Sequence, residues 1–317
     1  MAKPLPASIK AAGARELALQ VLRDVFGPAQ RGAQESLEYR AARAELSPRD
    51  LALATELAYG TVKMRRRLEW YLRPYARERL HTLPEPIREL LFLGAYQLLL
   101  AGGIAEHAAV FETVDLARRL GHRGTAGLVN AILRRIQRER PAPPAAGEFA
   151  DGDDYLGTLY SYPTWIVRAW RARFGARLVE LLEAGNRPAR GALRINTLRG
   201  GVEEARGELA RRGLATEVSP LAPDALLPVD GRFTRALEEA APGRWMLQGE
   251  TAALAAHLLA PEPGQTVIDL CCGRGHKSLQ LAAMMENRGV LWAVDDHAGR
   301  LAALAAAAEA AGAGCIR

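Results

Sequence analysis

Two short stretches carry residue types and spacings that could do chemistry. Thr266-Val-Ile-Asp-Leu-Cys-Cys-Gly-Arg-Gly-His-Lys-Ser278 reads as an apolar strand over 267–270 that opens into a glycine-containing turn and then a helix. Gly289-Val-Leu-Trp-Ala-Val-Asp-Asp296 reads as a second buried strand ending on acids. Glycines in such a turn let backbone approach a ligand, and a helix start offers N–H groups without intrahelical acceptors. A carboxylate at the end of the next strand can accept ribose hydroxyls. The spacing from Asp269 to Asp295 fits one βαβ unit, so the pair predicts a nucleotide-type site. A third strand should be starting where the sequence reaches Arg317.

Cysteine and charge bound the other possibilities. The chain has three cysteines, and two of them, Cys271 and Cys272, are adjacent. Neighbours in a βα turn make a poor structural disulfide, which fits a reducing, cytoplasmic setting. No Cys/His cluster has metal-ligand spacing, so no metal is expected. No apolar run has the length of a membrane span, and residues 1–6 lack a hydrophobic signal segment, so no membrane association is expected. Net charge is +6. Residues 1–140 hold 23 Lys and Arg against 15 Asp and Glu, a net of +8, while 141–317 hold 19 against 21, a net of −2. Such asymmetry suggests an anionic partner on the first half, nucleic acid foremost. Genome composition is the competing explanation, since only four of the 42 basic residues are lysine.

The elements that would position these residues fall into four segments. Residues 1–140 predict an all-helical bundle. Leu17, Val21, Leu22 and Val25 share one helical face, Ser47-Pro48 opens a helix carrying Leu51, Leu57 and Val62, and 87–100 is apolar enough to be a central helix. Leu128, Val129, Ile132, Leu133 and Ile136 form a further stripe with Arg134 and Arg135 opposite. Residues 141–160, with Pro141-Ala-Pro-Pro144 and Asp151-Gly-Asp-Asp154, read as a linker. Residues 161–242 read as a basic α+β connector. In it Trp165, Ile166, Trp170, Phe174, Leu178 and Leu181 lie along one helical face, 193–197 alternates like a strand and 202–212 is helical. Residues 243–317 read as the start of a doubly wound α/β domain, with an Ala-rich packing helix near 298–311.

These segments together resemble the Sun (Fmu) family of bacterial ribosomal RNA cytosine-5 methyltransferases. The likeness runs through Leu46-Ser-Pro-Arg-Asp-Leu-Ala-Leu-Ala-Thr-Glu-Leu-Ala-Tyr-Gly-Thr61, Leu93-Gly-Ala-Tyr-Gln-Leu98 and Gly121-His-Arg-Gly-Thr-Ala-Gly-Leu-Val-Asn-Ala-Ile-Leu-Arg-Arg135. It continues at Ser161-Tyr-Pro-Thr-Trp165, Asn186-Arg-Pro188 and Leu193-Arg-Ile-Asn196, and the family's VQDEAS segment is altered here to Leu247-Gln-Gly-Glu-Thr-Ala252. The resemblance implies a NusB-like helical RNA-binding domain, then a connector, then a Rossmann-like class I domain that binds S-adenosyl-L-methionine. The implied substrate is ribosomal RNA of the small subunit, methylated at C5 of a cytosine, and the implied state is a monomer.

The family's CAAPGGK loop aligns with Cys271-Cys-Gly-Arg-Gly-His-Lys277. Cys271, Gly275 and Lys277 keep its pattern, whereas Arg274 and His276 replace a proline and a glycine. By resemblance the cofactor residues are Cys271, Cys272, Gly273, Arg274, Gly275, His276, Lys277 and Asp295, with Asp296 a solvated neighbour. The family's nucleophile is a cysteine from later Pro-Cys segments, and no Pro-Cys pair occurs here. No catalytic residue is therefore assigned, and the nucleophile is expected beyond Arg317. Cys271 reads as packing at the end of a strand more readily than as a nucleophile. Lys63, Arg65, Arg66, Arg67, Arg134 and Arg135 are the candidate RNA contacts, although 63–67 also reads as a solvated helix end. Trp165 and Trp170 read as core, and His107 and His122 as structural or surface residues. The rival readings are a non-catalytic RNA-binding protein and an antitermination-like factor.

Overall fold

The computed structural model describes residues 13–121, 123–188, 191–231 and 233–317, so the reading of 1–6 and of His122 lies outside the described residues. The chain forms two compact units, 1–187 and 188–317. In the first, seven helices of the bundle follow one another: α1 (Ala14–Phe26), α2 (Ala33–Ala41), α3 (Pro48–Lys63), α4 (Arg65–Ala76), α5 (Glu85–Leu99), α6 (Glu106–Leu120) and α7 (Arg123–Glu139). Ser47 caps α3 by accepting the Asp50 N–H at 3.1 Å, with Pro48 in the first turn, as the sequence predicts. Leu90, Leu91, Phe92 and Leu93 are consecutive and all buried, which makes α5 the central helix. Leu17, Val21 and Leu22 of α1 and Val129, Ile132, Leu133 and Ile136 of α7 join that core, whereas Leu128 is exposed.

Within 141–160, read as a linker, Gly152–Tyr160 forms α8, and α9 (Thr164–Phe174) and α10 (Leu178–Asn186) follow. The acids that look like linker composition are used locally. Asp151 caps α8 through the Asp153 N–H at 2.8 Å, and Asp153 pairs with Arg171 at 2.5 Å. Val167, Leu178 and Leu182 form a buried hydrophobic cluster here, with Trp170 packed against them. Trp165 departs from its expected core position: it is 70% exposed. It stands two positions before Val167, about 200° around a helix, so the two point to opposite sides.

The second unit opens with an antiparallel sheet of order β2-β3-β1-β4, built from β1 (Leu193–Ile195), β2 (Thr216–Val218), β3 (Ala225–Pro228) and β4 (Trp245–Leu247). The helices α11 (Val202–Arg211) and α12 (Arg235–Glu239) belong to the same region. Leu193, Ile195, Ala205, Leu209, Leu226 and Trp245 form its core. After α13 (Glu250–Leu259) come β5 (Thr266–Asp269), α14 (His276–Met284), β6 (Val290–Ala293) and α15 (Ala298–Ala311). β5 and β6 pair in parallel, Thr266 opposite Val290 and Asp269 opposite Ala293. Ile316 bridges Leu291 in the same sense, with the Arg317 N–H donating to the Leu291 carbonyl at 2.8 Å. That is the beginning of the expected third strand.

Both strands of the pair were expected to be buried. Leu291 is buried, but Ile268 and Trp292 are 60% and 51% exposed. An apolar strand read as a continuous run implies helices on both faces of its sheet. Among the described residues only one face is covered, by the core that Leu279, Ala282, Met285, Leu291 and Leu304 share.

Candidate functional site

The end of β5, the turn and the start of α14 are met by Asp295, two residues beyond β6. Asp269 ends β5 and accepts from Ser278 Oγ of α14 at 2.7 Å, which ties strand to helix across the turn. The Cys272 N–H donates to the Val294 carbonyl at 3.0 Å, holding the turn against the second strand. Gly273 and Gly275 have φ of +58° and +84°, in the left-handed region that favours glycine. At Gly275 a Cβ would also lie 2.0 Å from Leu304 Cδ1, so glycine is needed there for packing as well as for conformation. α14 begins directly after Gly275, which leaves its first amides near the turn.

Asp295 faces this turn. Its Oδ2 accepts from the Gly273 N–H at 2.9 Å and its Oδ1 from the His297 N–H at 3.0 Å. The side chain is only 6% exposed, with Arg300 3.5 Å away. The His297 and Gly273 amides hold the carboxyl below the usual carboxylate range despite its burial, so it is ionised at neutral pH. Asp296 is exposed. An ionised carboxylate with lone pairs to spare, beside a glycine turn and a helix start, can orient a ribose.

Arg274, His276 and Lys277, which include the two departures from the family pattern, are exposed. With Asp295 beside two glycines of positive φ and a helix start, the residues present fit a nucleoside-bearing cofactor. Cys271 is exposed and Cys272 buried. Burial pushes the Cys272 thiol up, and Asp269 and Asp295 add to that; burial likewise raises Cys315. Neither is primed as a thiolate. Among the described residues no group of three or more His, Cys, Asp and Glu could hold a metal ion, and no helix is long and apolar enough to cross a membrane.

The basic residues of the first unit divide sharply. Lys63 is exposed at the end of α3. Arg65 is held inside: its guanidinium pairs with Glu89, a carboxylate with no exposed side-chain surface, and lies between the rings of Phe92 (3.3 Å) and Phe26 (4.2 Å). Arg66 joins α4 to α8 and α9. It donates to Asp154 Oδ1 at 2.6 Å, the Tyr162 carbonyl at 2.7 Å and Thr164 Oγ1 at 2.9 Å. Arg67 reaches Tyr71 Oη at 3.2 Å. Arg134 and Arg135 are exposed on α7; Arg135 pairs with Glu139 at 2.8 Å and lies over Tyr75. Of the six candidates, Arg65 and Arg66 thus have structural partners, Arg67 is half-buried, and Lys63, Arg134 and Arg135 are exposed.

Residues that the site-directed reading missed lie on the small sheet. Leu193 and Ile195 of β1 enter the sheet's own core. Arg194 and Asn196 alternate with them, Arg194 reaching α14 and Asn196 reaching α15. Asn196 Nδ2 donates to the carbonyls of Gly243 at 2.7 Å and Ala311 at 2.9 Å. The signal was present as period-two alternation with both polar residues on one side. A cavity of about 330 Å³ beside this face is lined by Arg194, Asn196, Trp245, Met246, Leu279 and Ala311. No residue of the 271–277 turn lines it.

Comparison with known proteins follows the same order along the chain. Residues 12–138 match the NusB family. Residues 162–230 match the ferredoxin-like domain of RsmF/B-like methyltransferases, and 256–315 match 16S rRNA methyltransferase RsmB/F. A Bacillus subtilis protein named "Probable ribosomal RNA small subunit methyltransferase B" is 32% identical over 271 residues, covering 84% of this chain and 59% of that protein. The ribosomal RNA small subunit methyltransferase B of Sodalis glossinidius is 31% identical over 247 residues, covering 75% of this chain and 54% of the relative. The chain thus spans less than two thirds of the length of these relatives. The crystal structure of PH0851 shares the fold with a TM-score of 0.73 at 21% identity, covering 99% of this chain and 70% of that one. The chain thus matches, in order along its length, the NusB family, the ferredoxin-like domain of RsmF/B-like methyltransferases and the RsmB/F methyltransferase family.

Proposed function

We propose that this chain binds S-adenosyl-L-methionine at the turn formed by 271–277 and Asp295, and ribosomal RNA through cations of its first unit. In the whole protein, it would serve methyl transfer to C5 of a cytosine in small-subunit ribosomal RNA. The observation that carries the cofactor reading is the ionised, nearly buried Asp295, held by two backbone amides beside Gly273. S-adenosyl-L-methionine would supply an electrophilic methyl group. In this chain Asp295 would accept ribose hydroxyls, Gly273 and Gly275 would allow close backbone approach, and the start of α14 would add amide donors.

Covalent activation of a cytosine needs a thiolate that adds to C6, so that C5 becomes nucleophilic, and a base that later removes the C5 proton. The three cysteines here do not suit that step, since Cys272 and Cys315 are buried with raised thiols and Cys271 sits in the cofactor turn. The 317-residue chain by itself is therefore expected to bind without turnover. Calorimetric titration with S-adenosyl-L-methionine tests the binding: the wild type should give saturable heat and Asp295→Ala should not. Equal affinity in both would mean that the ligand site lies elsewhere. A radiolabelled methyl-transfer assay on unmodified small-subunit ribosomal RNA, with Cys271→Ser alongside, tests the lack of turnover. Turnover that depends on Cys271 would make that residue the nucleophile.

A further inference from the structure

A continuous line of buried polar side chains links the small sheet to the cofactor turn. Arg194 of β1 is 2% exposed, and burial pushes its guanidinium down to about 10, so it still carries its proton at neutral pH. Its Nε donates to Gln248 Oε1 at 2.7 Å and its Nη2 to the His276 carbonyl at 3.3 Å. Gln248 Nε2 donates to Gln280 Oε1 at 3.2 Å. Gln280 Nε2 donates in turn to Asp224 Oδ2 at 3.0 Å and to the Ala253 carbonyl at 3.1 Å. The other oxygen of Asp224 meets His257 Nε2 of α13 at 2.6 Å.

The direction of this chain is fixed by its ends. A guanidinium can only donate and an ionised carboxylate can only accept, so each amide between them has one satisfying orientation. Reversing either glutamine would set oxygen against oxygen or N–H against N–H in a buried place, which is costly. His276 and Gln280 are four residues apart, one turn of α14. Arg194 therefore holds that turn at two points, His276 directly and Gln280 through Gln248. A two-point grip fixes both the position of the helix start and its rotation about its axis.

We propose that Arg194, Gln248, Gln280 and Asp224 act as positioning residues that set the first turn of α14, and with it the cofactor turn, from the small sheet. This rests on the assignment of 271–277 as the S-adenosyl-L-methionine turn. The test uses the full chain, with Arg194→Met, Arg194→Lys and Gln248→Leu. Two quantities are measured well below the melting temperature: affinity for S-adenosyl-L-methionine by calorimetry, and amide hydrogen exchange of peptides covering 271–281. Arg194→Met and Gln248→Leu should each weaken affinity by about fivefold or more and speed exchange at the start of α14, while β2 and β3 exchange as in the wild type. Arg194→Lys should not rescue, because one ammonium cannot serve both Gln248 and the His276 carbonyl. Folded variants with wild-type affinity and exchange, altered only in melting temperature, would overturn the proposal. Full rescue by lysine would also overturn it, since charge alone would then suffice. Should Arg194→Met fail to fold, Gln248→Leu decides. If the wild type binds no S-adenosyl-L-methionine, the cofactor assignment fails, and the exchange comparison alone settles whether the chain positions α14.

Discussion

Replacing Arg65 with alanine separates a charge that binds RNA from a charge that holds the bundle. Its guanidinium stacks on Phe92 at 3.3 Å and Phe26 at 4.2 Å and donates to both oxygens of Glu89. Cation–π contact with partly desolvated rings contributes about 1 kcal/mol. Charge-assisted hydrogen bonds to a buried carboxylate contribute about 1.5–3 kcal/mol. Glu89 would keep Arg88 at 2.9 Å, which limits the penalty of leaving it buried. The net loss should be about 3 kcal/mol, read as a shift in the urea midpoint of the helical bundle followed by circular dichroism at 25 °C. Arg65→Lys should recover less than half of it, because lysine lacks the planar fork. Lys63→Ala, exposed and two residues away, should stay within about 0.5 kcal/mol of the wild type. The reasoning is refuted if Arg65→Ala unfolds at the wild-type midpoint. It is equally refuted if a fully folded Arg65→Ala loses RNA affinity as Lys63→Ala does.

Three further outcomes follow from the same geometry. Removing Lys63, Arg134 and Arg135 together should leave the fold intact and flatten the dependence of ribosomal RNA affinity on salt, by about 0.7 in log–log slope for each lost phosphate contact; an unchanged slope would assign RNA to another surface. Gly275→Ala combines a φ of +84° with a Cβ 2.0 Å from Leu304 Cδ1, so it should cost about 2 kcal/mol or more and weaken cofactor binding, both measurable on one sample by thermal melting and calorimetry. Asp295 has its carboxyl held low in the folded state, so its contribution to stability is present above the unfolded carboxylate pKa. That contribution is lost as pH falls below about 4 through the folded value. Asp295→Asn should accordingly flatten the acid limb of a melting-temperature profile and leave the limb above pH 5 parallel to the wild type.

The parts of the fold governed by local pattern were legible. The stripes of α1 and α7 follow helical spacing, α3 opens at its Ser-Pro start, and the strand–turn–helix–strand around Gly273 and Gly275 follows from apolar runs broken by residues that tolerate positive φ. What sequence could not convey was partnership. Arg65, Arg66 and Lys63 are equivalent as a basic run, and only the tertiary placement of Glu89 and Asp154 separates them. Asp151 and Asp153 read as solvent-loving until α9 supplies Arg168 and Arg171 opposite them. Trp165 fell into an apolar count along α9 that ignored its angular separation from Val167. Arg194 was simply part of a strand motif until the face it shares with Gln248 was seen.

The two-sidedness of β1 bears on how the small sheet finds its pairing. A strand of three residues has few ladder hydrogen bonds with which to specify register, and a slip by one residue turns every side chain to the other face. In β1 such a slip would drive Arg194 among Leu209, Ala205 and Leu226 and turn Leu193 and Ile195 toward α14. An unpaired guanidinium in hydrocarbon costs several kcal/mol, more than a short ladder could return. Mispairing is thus rejected by electrostatics instead of by shape. Because the acceptors that reward the correct register are Gln248, just after β4, and His276 of α14, the sheet and that helix should be acquired in one cooperative step.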